Sequence, residues 1–216
     1  MTSLTGALTG PAAADDVDEA VQLAVAALAL APPGGWDAKA GDLEWTCWET
    51  AEHLADDLFA YAVQLAPRRP PLTTDVPFEA RTRRPGAPLN SVHASRETGP
   101  EGLLQVLDAS GGLLASLART APPSVRAHHV FGVSDPAGFA EMGVVETLVH
   151  THDLAMGLGL PWTPPDHLPA RALARLFPEA PEDTPPWPTL LWATGRAELP
   201  GRPRLTQWRW HGEPRA

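Results

Sequence analysis

The sequence predicts a mainly α-helical protein: a four-helix bundle with one long crossover connection and a short C-terminal extension. Two observations support this fold class. Apolar residues recur at three- and four-residue steps in four segments of the 216-residue chain, which is the pattern of amphipathic helices. Residues 67–98, rich in Pro, Arg and Thr, show no such period and separate the second segment from the third. Four helices with one long connection pack most simply as a bundle.

The N-terminal part of the chain is predicted to be a disordered segment followed by the first helix. Residues 1–14 are small and polar, and we expect them to be disordered. From Asp15 onward the apolar residues are helically spaced, and the run stops at Pro32 and Pro33, which a helix interior does not tolerate. The first helix is therefore expected between Asp15 and Pro32.

The second helix has a clear start signal. Thr46 and Glu49 have the spacing of a capping box, in which each side chain accepts a hydrogen bond from a free backbone amide at the helix start. Apolar residues then follow one face to about Ala66. Cys47, the only cysteine in the chain, lies on that face. We expect it to be a buried, inert thiol, and neither an internal disulfide nor a thiolate zinc cluster is possible.

The third helix is expected from Pro100 to Arg119, with leucines facing inward. Gly111 and Gly112 interrupt this pattern, because each costs about 1 kcal/mol relative to Ala inside a helix. A kink or a break at this pair is therefore one expected outcome.

The fourth helix is expected to begin near Asp135, with a proline at its first position, and to end in the glycine-containing segment 157–160. The bundle domain is thus predicted to span residues 15–165. Residues 166–216 form the extension, with a short helix first and an irregular or two-stranded remainder. The candidate strands are the segments TLLWATG and RLTQWRW.

The net charge of the chain limits the classes of binding partner, and its N-terminal sequence indicates the cellular compartment. The net charge is −10, whereas nucleic acids and anionic membranes attract an excess of Lys and Arg, so we expect neither as a partner. The N-terminal sequence lacks the basic start and apolar run of a signal peptide, and no segment approaches the ~20 apolar residues of a membrane span. These features predict a cytoplasmic protein.

The fourth helix carries ionisable side chains on an apolar face. Glu146, His150 and Asp153 lie within about 60° of one another on a helical wheel, together with Phe139 and Met142. Burying such groups unpaired costs several kcal/mol, and a metal ion satisfies a carboxylate and an imidazole together. Glu and His four residues apart can reach one ion, although a surface pair that only stabilises the helix explains the spacing equally well.

His53 on the second helix is the best candidate for a third ligand. It lies off the apolar stripe and close to Asp57, so an ordinary surface histidine is the alternative interpretation. Asp57 and Asp153 are candidates for supporting carboxylates that hydrogen-bond the ligands. The predicted metal site is therefore His53, Glu146 and His150.

At these residues the chain resembles a known family. The segment EWTCWETAEHLADDL (44–58) is similar to the second helix of the metal-binding domain of mycothiol-dependent maleylpyruvate isomerases, in the DinB-like superfamily of helical bundles. That helix opens with a Trp-Thr pair and carries a metal histidine several residues later. Trp45, Thr46 and His53 match this pattern.

The segment VVETLVHTHDLAMGLGLPWTPP (144–165) resembles the fourth helix of the same family. Its Glu-xxx-His pair and the following Asp match Glu146, His150 and Asp153. The resemblance implies a DinB-like bundle that holds a divalent metal, with zinc expected, and that forms a homodimer. Two His and one Glu leave a tetrahedral zinc one open position, at which a bound thiol becomes a thiolate.

The resemblance also implies a reaction class. The thiol would be mycothiol or a related low-molecular-weight thiol, and it would react with a small electrophile by S-transfer or by cis–trans isomerisation. The two-domain isomerases carry a further C-terminal domain, whereas only residues 166–216 follow the bundle here, so transfer to another electrophile is as well supported as isomerisation. The alternative from another class is a non-catalytic metal- or ligand-binding bundle.

Overall fold

A computed structural model describes residues 10–214, with side chains from residue 12 onward. Within this part of the chain there is no β-strand, only isolated β-bridges, and no helix is both long and apolar enough to cross a membrane. The α-helices are α1 (Gly10–Leu28), α2 (Cys47–Leu65), α3 (Gly99–Thr120), α4 (Pro136–Leu158), α5 (His167–Leu176) and α6 (Pro186–Ala193).

Helices α1 to α4 form the predicted bundle. Both α1 and α2 pack against α3 and α4, so the four helices surround one core. Leucines from α2, α3 and α4 meet there without solvent exposure, among them Leu54, Leu107 and Leu148. Each such side chain contributes about 1.5–3 kcal/mol when it is fully buried. The prediction of a mainly helical bundle with one long crossover, between α2 and α3, is confirmed.

The start of α1 differs from the prediction. The helix begins at Gly10, so the expectation of disorder is wrong for residues 10–14, while residues 1–9 lie outside the described part of the chain. Ala13 and Ala14 are fully buried, and their packing on the bundle explains why a segment of small residues is helical.

Helix α3 is continuous, so the kink or break expected at Gly111 and Gly112 does not occur. A Cβ atom added at Gly111 would lie 2.7 Å from a methyl group of Val21. The glycine therefore lets α1 approach α3 closely, and the gain in packing offsets its low helix propensity.

The crossover between α2 and α3 is irregular, as predicted, and buried carboxylates of α2 hold it in place. Glu52 accepts hydrogen bonds from Arg83 Nε at 2.6 Å and from the backbone amide of Ala94 at 2.9 Å. Glu49 accepts hydrogen bonds from Arg84 Nε at 2.8 Å and Nη2 at 2.7 Å. These charge-assisted contacts fix a long segment whose secondary structure is limited to a bridge between Arg81 and Asn90 and a 3-10 turn at Arg96–Thr98.

The extension packs on the bundle through α5, which contacts α4, and through α6, which contacts α5. The expectation of two strands is wrong: one candidate strand is largely helical, and only the other is irregular. Most of the TLLWATG segment belongs to α6, because Pro186 and the residues that follow it are well suited to a first helical turn. The RLTQWRW segment, residues 204–210, is described in full and has no strand, and the nearest β-bridge, between Leu199 and Arg202, lies before it.

The chain after α6 returns to the bundle. The backbone amide of His211 donates to the carbonyl of Leu176 at 2.8 Å, and Ser134 Oγ donates to the carbonyl of Gly212 at 2.5 Å. Trp210, which directly precedes His211 and Gly212, is only 2% exposed. This returning segment therefore forms part of the protein's core and is not a free tail.

Candidate metal centre

Helices α2 and α4 position the predicted ligands, and both begin where the sequence indicates. Thr46 Oγ1 accepts a hydrogen bond from the Glu49 amide at 3.2 Å, and the Glu49 carboxylate accepts one from the Thr46 amide at 2.9 Å, which completes the predicted capping box. The Asp135 side chain caps α4, and Gly159 ends it in the left-handed conformation at φ 69°. The register of His53 on α2 is thereby fixed.

Four donor side chains converge between these helices. The donor atoms of His53, Asp57 and His150 lie within 4.8 Å of one another. Glu146 Oε2 lies 3.3 Å from His150 Nε2, and Asp57 Oδ2 lies 3.4 Å from His53 Nε2. The structure thus groups two predicted ligands, His53 and His150, with Asp57, which was expected to have a supporting role, and it places the third predicted ligand, Glu146, in contact with His150.

The oxygen atoms that face Nδ1 of each imidazole suit metal binding. His53 Nδ1 lies 3.2 Å from Asn90 Oδ1, and His150 Nδ1 lies 3.2 Å from Asp153 Oδ2. Each oxygen favours the proton on Nδ1 and leaves Nε2, which faces the carboxylates of the cluster, as the ligand nitrogen. The position of Asp153 is the one expected for a supporting carboxylate.

Three further residues of the site were missed by sequence reasoning. Arg196 holds Asp153 through Nε to Oδ1 at 3.1 Å and Nη2 to Oδ2 at 2.7 Å. Tyr61 Oη donates to Glu146 Oε1 at 3.4 Å. Asn90, which holds His53, is the third. Tyr61 lies on α2 eight residues after His53, so its helical spacing could have indicated its place near the site. Asn90 and Arg196 lie in irregular segments, where no helical spacing indicates their position.

The electrostatics of the two histidines differ. Burial, together with the nearby charge of His150, lowers the pKa of His53 to about 4, so its imidazole is neutral at neutral pH. Burial also acts to lower the pKa of His150, but contacts with Asp153 and Glu146 outweigh it and raise the pKa to about 9. Without a metal, His150 is therefore protonated at neutral pH.

The pKa values of the two carboxyl groups, Asp57 and Glu146, are shifted in opposite directions. Burial and the charge of Glu146 raise the pKa of Asp57 well above its usual range, which favours its protonated form. The pKa of Glu146 is lowered because its contact with His150 outweighs the effect of burial. A divalent cation adds two positive charges, and the protons that it displaces from His150 and Asp57 carry two away. The net charge of the cluster is therefore unchanged. Nitrogen and carboxylate donors in this arrangement fit zinc.

A cavity of about 470 Å³ lies beside the cluster. Asp57, Tyr61 and Glu146 line one end, and aromatic side chains that include Phe131 and Trp208 line the remainder. A small molecule in this cavity could reach the carboxylate side of the centre.

A second group of possible donors lies between α1 and α5 but is better explained as an ion-pair network. Asp16, Glu19 and His167 offer atoms within 4.8 Å of one another. Asp16 Oδ1 is already paired with Arg171 Nη1 at 2.5 Å, and His167 Nε2 lies 2.9 Å from Glu19 Oε2 on the exposed side. These pairs join α5 to the bundle.

Comparison of the chain with models of known protein families, with curated proteins and with solved structures finds no match. The membership of the DinB-like superfamily inferred from residues 44–58 and 144–165 therefore stays a prediction.

Proposed function

We propose that this protein binds one divalent metal ion, zinc, between α2 and α4 and uses it to activate a low-molecular-weight thiol for reaction with a small electrophile. One observation carries the metal site: the Nε2 atoms of His53 and His150 face the carboxylates of Asp57 and Glu146 at one end of a cavity. The thiol rests on the resemblance of residues 44–58 and 144–165 to mycothiol-dependent isomerases.

The thiol must come from outside the protein. Cys47 is fully buried, and burial raises the pKa of its thiol to about 11, so it stays protonated and inert, as predicted. Zinc, when bound, lowers the pKa of a thiol at its open position.

The other roles in the proposed reaction are assigned to residues of the chain. His53, Glu146 and His150 bind the ion, and Asn90, Tyr61 and Asp153 hold these three ligands in orientation. Asp57 accepts the proton that the thiol releases, since burial makes its carboxylate a stronger base. The sulfur electron pair then forms a C–S bond with the electrophile. In S-transfer this bond remains and a leaving group departs, whereas in isomerisation it breaks again after rotation.

A second candidate function has its own support. The donor atoms of Asp57 and the two histidines lie within 4.8 Å of one another, and Glu146 contacts His150 at 3.3 Å. If Asp57 is a ligand in addition to the other three, the four side chains enclose a tetrahedral ion completely. In that case the ion is structural and the protein is a non-catalytic metal-binding bundle. The two candidates differ in whether the metal has an open position.

The first experiment measures metal content in the wild type and in the variants His53→Ala and His150→Ala. We expect about one zinc per chain in the wild type and loss of zinc from both variants with helical content retained. His152→Ala is the matched control, because His152 is on α4 but packs against Trp187 with a ring-centroid distance of 5.8 Å. A metal-free wild type, or variants that keep their zinc, would reject both candidate functions.

The second experiment replaces zinc with cobalt(II) and adds a small thiol. A thiolate-to-cobalt charge-transfer absorption would support the catalytic candidate, since it requires an open position. An unchanged spectrum in the wild type, with the absorption appearing only in Asp57→Asn, would support the closed, structural site.

A further inference from the structure

The cavity beside the metal centre has aromatic walls and an acidic lining, and this combination selects a class of ligand. We propose that the cavity binds the planar aromatic group of an uncharged or positively charged small molecule and excludes molecules that carry a carboxylate. The assignment of this molecule as the electrophile rests on the proposed function; its binding in the cavity does not.

One wall is an aromatic cluster centred on His129. The ring centroid of His129 lies 5.4 Å from that of Trp210, 5.6 Å from that of Phe131 and 5.8 Å from that of Tyr61. Phe131 and Trp210 meet edge to face at 5.7 Å and 84°. Aromatic pairs favour edge-to-face and offset geometries at these separations, so this wall offers favourable contacts to one more ring.

A second aromatic pair also lines the cavity. Phe59 on α2 and Phe78 in the crossover lie 5.2 Å apart at 78° and both line the cavity. Phe78 is 52% exposed. A large apolar side chain left half in water beside a cavity is a candidate ligand contact. The volume of about 470 Å³ is in the range of small-molecule sites.

The ionisable groups around the cavity are mainly acidic. Asp56, Asp57, Asp75 and Glu146 line it, and within residues 10–214 no Lys or Arg does. Two histidines also line it: His128 lies 4.0 Å from Asp75, and burial lowers the pKa of His129 to about 4, so the His129 imidazole is neutral at neutral pH. An entering carboxylate would lose hydration next to other carboxylates without a cationic partner. A bound metal neutralises Asp57 and Glu146 but leaves Asp56 and Asp75, so the aromatic part of the cavity stays unfavourable to anions.

Several arginines within residues 10–214 lie near the cavity in the sequence, and none of them lines it. Arg81 and Arg209 are direct neighbours of the lining residues Ala80 and Trp208. Arg83 and Arg84 precede the lining residue Ser91, and their guanidinium groups are bound to Glu52 and Glu49. Bringing either of them to a ligand would leave a buried carboxylate without its partner.

The test is a binding titration of the full chain, as purified, with three probes that share one ring and differ in charge: benzyl alcohol, benzylamine and benzoate. Saturation-transfer NMR and calorimetry give the affinities. We expect benzyl alcohol and benzylamine to bind and benzoate to bind at least tenfold more weakly. Equal or tighter binding of benzoate, or no binding of any probe, overturns the proposal.

Two variants locate the binding. Ala60→Trp fills the cavity from an exposed position on α2 and should abolish binding of benzyl alcohol while helical content is retained. Phe78→Ala should weaken binding severalfold. Leu72→Ala is the matched control, because Leu72 is also 52% exposed in the crossover but does not line the cavity. Unchanged binding in Ala60→Trp overturns the proposal.

Metal analysis of the same samples separates this proposal from the proposed function. A metal-free protein that binds benzyl alcohol in the cavity removes the proposed function and keeps this inference. A zinc-containing protein that binds none of the probes overturns this inference alone.

Discussion

The carboxylate of Asp153 lies between His150 and Arg196: its Oδ2 atom is 3.2 Å from His150 Nδ1 and 2.7 Å from Arg196 Nη2. Asp153 comes from α4 and Arg196 from the segment after α6, so a contact across the fold orients a predicted metal ligand. Outer contacts of this kind fix the ring orientation and basicity of a metal-binding histidine.

Arg196→Met should weaken zinc binding by about 10- to 100-fold, because Asp153 then loses the guanidinium that holds it against His150. Competition with a chromophoric zinc chelator measures the affinity. The control is Arg202→Met, which removes an arginine from the same region whose pair with Asp183, at 3.9 Å, is largely exposed. Equal losses in both variants would mean that general charge, and not the orientation of Asp153, determines affinity.

Asn90 gives a second test of ligand orientation. Its side chain is nearly fully buried and its Oδ1 faces His53 Nδ1 at 3.2 Å. Asn90→Leu has almost the same size but no acceptor, and we expect about a tenfold loss of zinc affinity. Asn90→Asp keeps an acceptor oxygen and should bind zinc at least as tightly as the wild type. Identical affinities in the two variants would contradict this role, with the chelator competition again as the measurement.

Asn90 and Arg196 also show the limit of what the sequence predicts. His53, Glu146 and His150 lie on regular helices with recognisable caps. Helical spacing places Glu146 near His150, and the packing of α2 against α4 in the predicted bundle brings His53 to them. Asn90 and Arg196 reach the site only because the crossover and the returning C-terminal segment fold onto the bundle. No periodic pattern in the sequence predicts where these irregular segments lie, because ion pairs and buried contacts between residues distant in sequence determine their positions.

The extension illustrates the same limit for secondary structure. The TLLWATG segment has apolar residues compatible with a short strand, but Pro186 favours a first helical turn and Trp187 and Leu190 are buried. Tertiary burial thus decided between two local preferences that the sequence left nearly balanced.

Glu141 should make stability depend on pH. It is fully buried on α4, and within the described residues neither of its carboxyl oxygens has a hydrogen-bond partner. Burial, and secondarily the charge of Asp16, raises its pKa to about 8, against about 4.3 in an unfolded chain. The folded protein therefore keeps a proton that the unfolded chain releases. Stability from this group is full below about pH 4, falls by about 1.4 kcal/mol per pH unit and levels off above pH 8.

Glu141→Gln removes this dependence, so its stability relative to the wild type should increase steadily from pH 5 to pH 8. Urea unfolding at several pH values measures the free energy of unfolding. Glu101→Gln, which removes a carboxylate from the exposed face of α3, controls for the loss of one negative charge. A constant difference between Glu141→Gln and the wild type would show that the carboxyl group does not titrate in this range.

The glycine pair in α3 offers a matched comparison of packing and propensity. Gly111→Ala places a methyl group 2.7 Å from one methyl of Val21 and 2.9 Å from the other, and Val21 is buried and stiff. We expect a net destabilisation of about 1 kcal/mol after the gain in helix propensity. Gly112 has no neighbour within 4 Å in the described structure, so Gly112→Ala should stabilise by up to about 1 kcal/mol. Thermal unfolding distinguishes the two, and equal effects would exclude close packing at Gly111.

The returning C-terminal segment has a consequence for biosynthesis. The four donor side chains have all been synthesised once residue 150 is complete, but Arg196 and Trp210 are added later. A nascent or prematurely terminated chain ending between these points carries every metal-donating group, without the arginine that orients Asp153 and without one wall of the cavity. Translation therefore supplies the proposed metal ligands before the residues that orient them, and a chain that ends before Arg196 is expected to hold an ion less tightly than one that includes it.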